Sequence, residues 1–334
     1  MAKRLAVFDS KPYDIKMFEE VNKSYGYELV FFKEHLDKHN VILASGFDAV
    51  CIFVNAVVDK TVIDSLQSYG VKLIALRCAG FNNVDIAYAK DKITVVRVPD
   101  YSPHAIAEHT LALMLTLNRR IHRAFNRTRE GNFSLNGLQG FDMYEKTVGV
   151  IGTGRIGKVV IGLMKGLGMN VLAYDVYPDE KAAETMGYTY ASLDEIYAKS
   201  DIITLHCPLT KETEHLINEN SIAKMKDGVM IINTGRGKLI NSKHLIDGLV
   251  CCKVGFAGLD VYEEEGNYFY EDYSDTVMTD EVLARLLSFN NVIITSHQAF
   301  FTHEAFSNIA HTTFNNISDF FAGKKLANEV VYNG

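Results

Sequence analysis

Residues 146–175 read KTVGVIGTGRIGKVVIGLMKGLGMNVLAYD. An apolar run, VGVI, leads into Gly152-Thr153-Gly154-Arg155-Ile156-Gly157, a GxGxxG pattern. Alone, that pattern is weak. Here a helix-like stretch, KVVIGLMKGLG, follows it, and a second apolar run, NVLAYD, ends at Asp175. Strand, glycine turn, helix, strand and terminal acid, in that order and at that spacing, form the context of a dinucleotide-binding unit. In such a unit Gly152 permits the tight turn, Gly154 lets a pyrophosphate approach the backbone, and Gly157 lets helix and strand pack closely. The helix N-terminus offers unpaired N–H groups and a positive dipole end to phosphate. Asp175 is placed to accept hydrogen bonds from the adenine-ribose hydroxyls and would repel a 2′-phosphate. The next residues, Val176-Tyr177-Pro178, bring no arginine, so the expected cofactor is NAD rather than NADP. A glycine-rich turn with a chance aspartate is the bland alternative, and the order of the flanking elements disfavours it.

Outward from this unit, short apolar runs alternate with longer amphipathic stretches, the mark of α/β layering around parallel sheets. Before it lie strand candidates 4–9, 27–32, 48–53, 73–78 and 93–98; after it lie 201–207, 228–233, 254–261 and 291–297. Ser102 is a plausible N-cap and Pro103 suits a first helical position. Apolar residues at 106, 113, 117, 121 and 125 continue helical spacing, which predicts one helix of roughly 25 residues leading from one domain to the next. The stretch HTTFNNISDFFAGKK near the end reads as a helix which, packed back on the first region, makes that domain discontinuous. A length of 334 residues suits two domains. The expected division is 1–100 plus 299–334 for a substrate domain and 101–298 for an NAD-binding Rossmann domain.

Composition narrows the function classes. Apolar residues make up 48% and charged residues 22%, ordinary values for a globular chain. The net charge of −7 suggests neither a nucleic-acid nor an anionic-membrane partner. MAKRLAVFDS is too short in its apolar run for a signal peptide, and LALMLTL (111–117) cannot span a bilayer. Five cysteines with no CxxC pair argue against a disulfide framework and for a reducing, cytoplasmic setting. No HExxH or Cys/His cluster has metal-ligand spacing, so no metal is expected.

Three polar residues follow three strand candidates: Arg236 after GVMIIN, Glu265 after VGFAGLDV, and His297 after NVIITS. Open parallel sheets bind ligands outside the carboxyl ends of their strands. The three are well separated along the chain but can converge there. Arg236 offers a planar, permanently charged fork for a carboxylate and can polarise an adjacent keto oxygen. His297, as imidazolium, can protonate the oxygen that becomes a hydroxyl, and Glu265 nearby would favour the charged imidazole. Each has a bland reading: a surface ion-pair residue, a solvated acidic run at 263–265, a satisfied core histidine. Together, beside a nucleotide fold, they favour reduction of a 2-oxo acid by hydride from the cofactor.

The segments LRCAGFNNVD (76–85), YSPHAIAEH (101–109), GVIGTGRIG (149–157), LHCPLT (205–210), INTGRG (232–237), LDVYEEE (259–265) and SHQAF (296–300) resemble the D-isomer-specific 2-hydroxyacid dehydrogenases over nearly the whole chain. The resemblance implies two doubly wound parallel-sheet domains, flavodoxin-like for substrate and Rossmann for NAD, with the active-site cleft between them. It implies Arg236, Glu265 and His297 as the catalytic set. The backbone of Cys78-Ala79-Gly80 would receive the substrate carboxylate, and Phe53, Tyr101 and Phe300 would line the side-chain pocket. Arg155 and Ile156 would lie against the pyrophosphate, and His206, Cys207, Pro208, Thr234 and Asp260 around the ribose and nicotinamide. Two departures stand out. Ser296 replaces the proline common before the catalytic histidine, and Glu265-Gly266 replaces the usual Glu-Pro, leading into NYFYEDYSD. That longer loop resembles the lactate dehydrogenase branch.

The expected reaction is therefore reduction of pyruvate to D-lactate with NADH. A broader reductase of phenylpyruvate or branched 2-oxo acids remains open, because aromatic walls also stack on aryl substrates. An NADH-sensing corepressor on the same scaffold, as in the C-terminal binding proteins, is disfavoured because no disordered tail follows the last predicted helix. The family implies a homodimer through the cofactor domain, or a higher homo-oligomer. His104 and His109 are expected to serve helix packing or the surface.

Overall fold

A computed structural model describes residues 2–332. The apolar runs become strands β1 (Arg4–Val7), β2 (Glu28–Phe31), β3 (Ala49–Ile52), β4 (Leu73–Leu76), β5 (Thr94–Val96), β6 (Thr147–Ile151), β7 (Asn170–Tyr174), β8 (Thr189–Tyr190), β9 (Ile202–Leu205), β10 (Val229–Asn233), β11 (Val254–Leu259) and β12 (Val292–Ile294). β3, β4, β9 and β10 are buried at every position. That is why they read as unbroken apolar runs: a strand covered by helices on both faces has no polar side to alternate with. Only the short β8 escaped the sequence reading, being too brief to carry a period.

Two parallel sheets result. One runs β2-β1-β3-β4-β5, the other β12-β11-β10-β9-β6-β7-β8. The first is the flavodoxin-like order. The second is the doubly wound dinucleotide order with one further strand on its long side. Each reverses direction once, between β1 and β3 and between β6 and β9.

The chain divides into two compact units: the residues through Ser102 with those from Phe301 on, and Pro103–Phe300. Both crossings fall slightly beyond the expected ones, the first at the start of a helix and so placing Tyr101 in the smaller unit. That unit recovers the C-terminal helix His303–Phe321, which begins earlier than the sequence suggested, where Thr302 caps it through the Ala305 N–H. Its Phe314 ring lies 5.3 Å from that of Phe18 and seals the sheet with Ile317 and Ala310.

The single long helix is a correction. It ends at Arg119, Arg120 adopts left-handed φ 48°, and a separate helix spans Ile121–Arg129. Helical spacing continues across the break because 121 and 125 are apolar, yet no residue of the second helix is buried. The Arg120 guanidinium bonds the Gly137 carbonyl, and Asn118 bonds both backbone groups of Phe141, so the following loop folds back on the break. Among the described residues no helix is long and apolar enough to cross a membrane.

Candidate active site

The larger unit builds its first functional feature from backbone. Gly152, directly after β6, takes φ +99°, and a Cβ there would lie 2.5 Å from the Cys207 nitrogen. A Cβ on Gly157 would lie 2.0 Å from the Gly152 carbonyl oxygen, so the helix Arg155–Gly166 can seat this close to β6 only without a side chain. Gly154 is that helix's N-cap, has no side chain to spend on the first-turn N–H groups, and faces open space. These features make a cradle for a pyrophosphate. Arg155 is exposed at its mouth and Ile156 packs partly into the core.

Asp175 follows β7 as expected. Its Oδ2 accepts from the Thr153 N–H at 2.6 Å and from the Thr153 hydroxyl at 3.1 Å, and its Oδ1 accepts from the Tyr177 N–H at 2.9 Å. Partial burial works against the charge, but these donors outweigh it and hold the carboxyl below the usual range. An ionised, half-exposed acceptor beside the glycine cradle fits a ribose diol.

His206, Cys207 and Pro208 follow β9 on the other side of the switch point, where the His206–Cys207 backbone meets Gly152. The His206 Nε2 lies 2.9 Å from the Thr204 hydroxyl, and burial depresses the imidazole to about 4, so it is neutral near pH 7. Burial pushes the Cys207 thiol up to about 11, making it a poor nucleophile. Thr234 is buried, its hydroxyl 2.9 Å from that of Thr110.

Side chains from three strand ends make the second feature. Asn233, the last residue of β10, accepts from the Gly235 N–H at 3.0 Å and donates to the Arg236 carbonyl at 2.9 Å. This fixes the turn carrying Arg236, whose guanidinium is exposed and bonds the Gly235 carbonyl. A Cβ on Gly237 would lie 2.0 Å from the Tyr262 carbonyl oxygen, so the Arg236 turn presses on the segment leading to Glu265. Glu265 Oε1 lies 2.9 Å from His297 Nδ1, while its Oε2 accepts from the Tyr262 N–H at 3.0 Å. The carboxylate is thus aimed at the imidazole from both ends, which assigns Nδ1 as its donor and leaves Nε2 to exchange a proton.

His297 itself has φ 51°, an uncommon state for a residue with a Cβ. Asp260, fully buried, over-determines it. Its carbonyl accepts the His297 N–H at 2.7 Å, and its carboxylate accepts the N–H groups of Gln298 and Ala299, each at 2.9 Å. The Thr295 hydroxyl also donates to that carboxylate, and His109 Nε2 stands 3.1 Å from the Thr295 hydroxyl and 3.4 Å from Asp260. Burial would neutralise Asp260, but hydrogen bonds from His109, Thr295 and the Ala299 N–H, with the His297 charge, keep its carboxyl below the usual range. The long loop contributes too: the Tyr270 hydroxyl donates to the His297 carbonyl at 3.2 Å.

Sequence reasoning missed Asn233, Thr295 and His109 as supports of this site. The first two stand at or just beyond strand ends, where a polar residue closing an apolar run was a usable signal. His109 had none, because its partners Asp260 and Thr295 lie in the other half of the chain.

In the smaller unit, Phe53 follows β3 and Cys78-Ala79-Gly80 follows β4, again beyond carboxyl ends. The Arg97 guanidinium bonds the Ala79 carbonyl at 2.7 Å, and the Cys78 thiol donates to the Gly80 carbonyl at 3.3 Å. Beneath this loop Arg77 is buried, 3.2 Å from Asp14, bonded to the Phe8 and Asp9 carbonyls, and 4.8 Å from the centre of the Phe53 ring. Tyr101 accepts on its carbonyl from Asn308, and Phe300 ends the larger unit.

Residues 111–299 match the family model described as D-isomer specific 2-hydroxyacid dehydrogenase, NAD binding domain. The chain belongs to that family, and its larger unit is the family's NAD-binding domain. Among relatives, the chain is 53% identical to a 2-hydroxyacid dehydrogenase homolog of Haemophilus influenzae, covering 98% of this chain and 99% of that one. It is 51% identical to the D-lactate dehydrogenase of Escherichia coli, covering 98% and 100%. The solved structure of the pyruvate reductase of Chlamydomonas reinhardtii superposes with a TM-score of 0.94 at 45% identity, covering 98% of each chain.

Proposed function

We propose that the chain reduces pyruvate to D-lactate with NADH, reversibly. Bound NADH would supply the hydride that attacks the keto carbon. Arg236 would receive the substrate carboxylate on its two-pronged fork and polarise the keto oxygen. His297 would give its Nε2 proton to that oxygen, forming the hydroxyl, and in the reverse direction would take it back as a base. Glu265 would stabilise the imidazolium and hold its tautomer. Cys78, Ala79 and Gly80 would bind the carboxylate through backbone N–H groups, with Phe53, Tyr101 and Phe300 against the substrate methyl. Arg155, Ile156, His206, Cys207, Pro208 and Thr234 would line the cofactor with the glycine loop, whereas Asp260, fully buried, would act from behind by clamping His297 rather than by touching the cofactor. The observation that carries this reading is the 2.9 Å pair between His297 Nδ1 and Glu265.

The test is NADH oxidation by purified protein against a panel of 2-oxo acids, with the chirality of the product measured. Fast turnover of pyruvate to D-lactate is expected. Preference for phenylpyruvate or branched acids would replace the substrate, and tight NADH binding without turnover on any acid would replace enzyme with sensor.

Within the same proposal, the chain works in the cytoplasm as a homodimer or larger homo-oligomer. Five free cysteines support the reducing setting. The helix Ile121–Arg129 and the loop after it support the assembly: Ile121, Phe125, Phe133 and Leu135 are 54–81% exposed, too large a set of apolar side chains to leave in water. Phe125→Glu should shift the protein to monomer in sedimentation; an unchanged assembly would move the interface elsewhere.

A further inference from the structure

Asp175 does not stand alone. The Thr153 hydroxyl that donates to it lies 2.8 Å from the Tyr190 hydroxyl. Tyr190 is the last residue of β8; its hydroxyl accepts the Asp179 N–H at 2.9 Å and lies 3.2 Å from the Tyr188 hydroxyl. A hydroxyl has one proton to give. Thr153 spends its own on a carboxylate that can only accept, so the proton between Thr153 and Tyr190 must come from Tyr190. That in turn leaves the Tyr190 oxygen to accept from Tyr188. The chain therefore runs one way, Tyr188 to Tyr190 to Thr153 to Asp175, and each bond polarises the next. Thr153 is 4% exposed, so water competes poorly for its hydroxyl. The same Tyr190 oxygen holds the backbone of Asp179, whose carboxylate binds the Lys158 ammonium at 2.6 Å. One phenol thus organises both the carboxylate at the end of β7 and a cation on the helix after the glycine loop.

We propose that Tyr190 is a coenzyme-selectivity residue that acts through Thr153, fixing Asp175 against the 2′ position of the adenosine ribose. Its role is that of a positioning residue, since it acts through the Thr153 hydroxyl. Without its hydroxyl, Thr153 loses its donor and is free to turn away from Asp175. A mobile carboxylate discriminates less against a 2′-phosphate. The inference rests on the reading of Asp175 as the ribose acceptor, and the experiment separates the two.

Dissociation constants for NADH and for NADPH are measured by fluorescence titration on wild type, Asp175→Ala, Tyr190→Phe and the double variant. Loss of one hydrogen bond in this chain should move the NADPH-to-NADH ratio of dissociation constants about fivefold toward NADPH in Tyr190→Phe. In the Asp175→Ala background the same change should leave the ratio where Asp175→Ala put it. Thr153→Ser should keep the wild-type ratio and Thr153→Val should lose it, which secures the test if the tyrosine variant folds poorly. If Asp175→Ala alone leaves the ratio unchanged, the ribose reading fails. If Asp175→Ala shifts it but Tyr190→Phe does not, or does so equally without Asp175, the relay is overturned and the ribose reading stands.

Discussion

The two sheets obey one winding rule and put opposite chemistry at their strand ends. In the NAD-binding unit, β10, β11 and β12 lead to ionisable side chains that reach the surface: Arg236 is exposed, and Glu265 and His297 are half-buried. In the smaller unit, β3 and β4 lead to an aromatic ring and a run of backbone, Phe53 and Cys78–Gly80, while the charges lie underneath, with Arg77 and Asp14 each 3% exposed. A charge that must bind and release an ion or a proton needs access to substrate. A charge that only supports a loop can be buried, provided its partners are buried with it. On the proposed function, the position of each charge separates chemistry from support, and that division can be broken experimentally.

The largest effect is expected at His297. His297→Gln removes the proton donor and should slow reduction by about 10²–10⁴-fold, with NADH binding retained; unchanged turnover in steady-state kinetics would remove His297 from the chemistry. Its counterpart is Arg77→Met, which strips Asp14 of its counter-ion and should cost about 3–5 kcal/mol of stability in denaturant unfolding. A variant that keeps its stability but loses turnover would place Arg77 with the reacting charges instead.

Protons offer a third test. His206 is held neutral, with its folded pKa near 4 and its unfolded value near 6.5. The unfolded chain therefore takes up the proton first. This contribution to stability is full above about pH 6.5, is lost as pH falls toward 4, and amounts to about 3 kcal/mol. His206→Asn should flatten the fall in melting temperature across that window; an identical pH slope would mean that the imidazole titrates normally.

Arg236→Lys keeps the charge and loses the fork, so KM for the 2-oxo acid should rise about 10–100-fold. A native KM would mean the carboxylate is held by backbone alone, as the smaller unit's loop is proposed to do. A smaller effect is expected at Asp175→Ala, about tenfold weaker NADH binding with the bias against NADPH relaxed, read from the ratio of dissociation constants.

Legibility in the sequence followed the range of the interactions. The glycine loop and Asp175 lie in one short segment, and their roles depend on a turn, a helix start and one strand, all written locally. Strands buried on both faces announced themselves as apolar runs. The helix break at Arg120 was hidden, because helical period continues through it and only contacts with Gly137 and Phe141 reveal that the second helix leaves the core. His109 suits helix packing or the surface from its sequence alone, because nothing near it along the chain hints at Asp260.

The sequence by itself determined the parallel α/β class, the dinucleotide loop of an NAD-binding domain, and the residue types at the strand ends, since each is fixed by side-chain period, backbone freedom or charge within a short window. Only the tertiary structure decided that Glu265 points at His297 Nδ1, that Asp260 clamps the left-handed turn at His297, and that Tyr190 reaches Thr153. Those are distances between segments brought together by strand order, and a hydrogen bond depends on tenths of an ångström that no local pattern encodes.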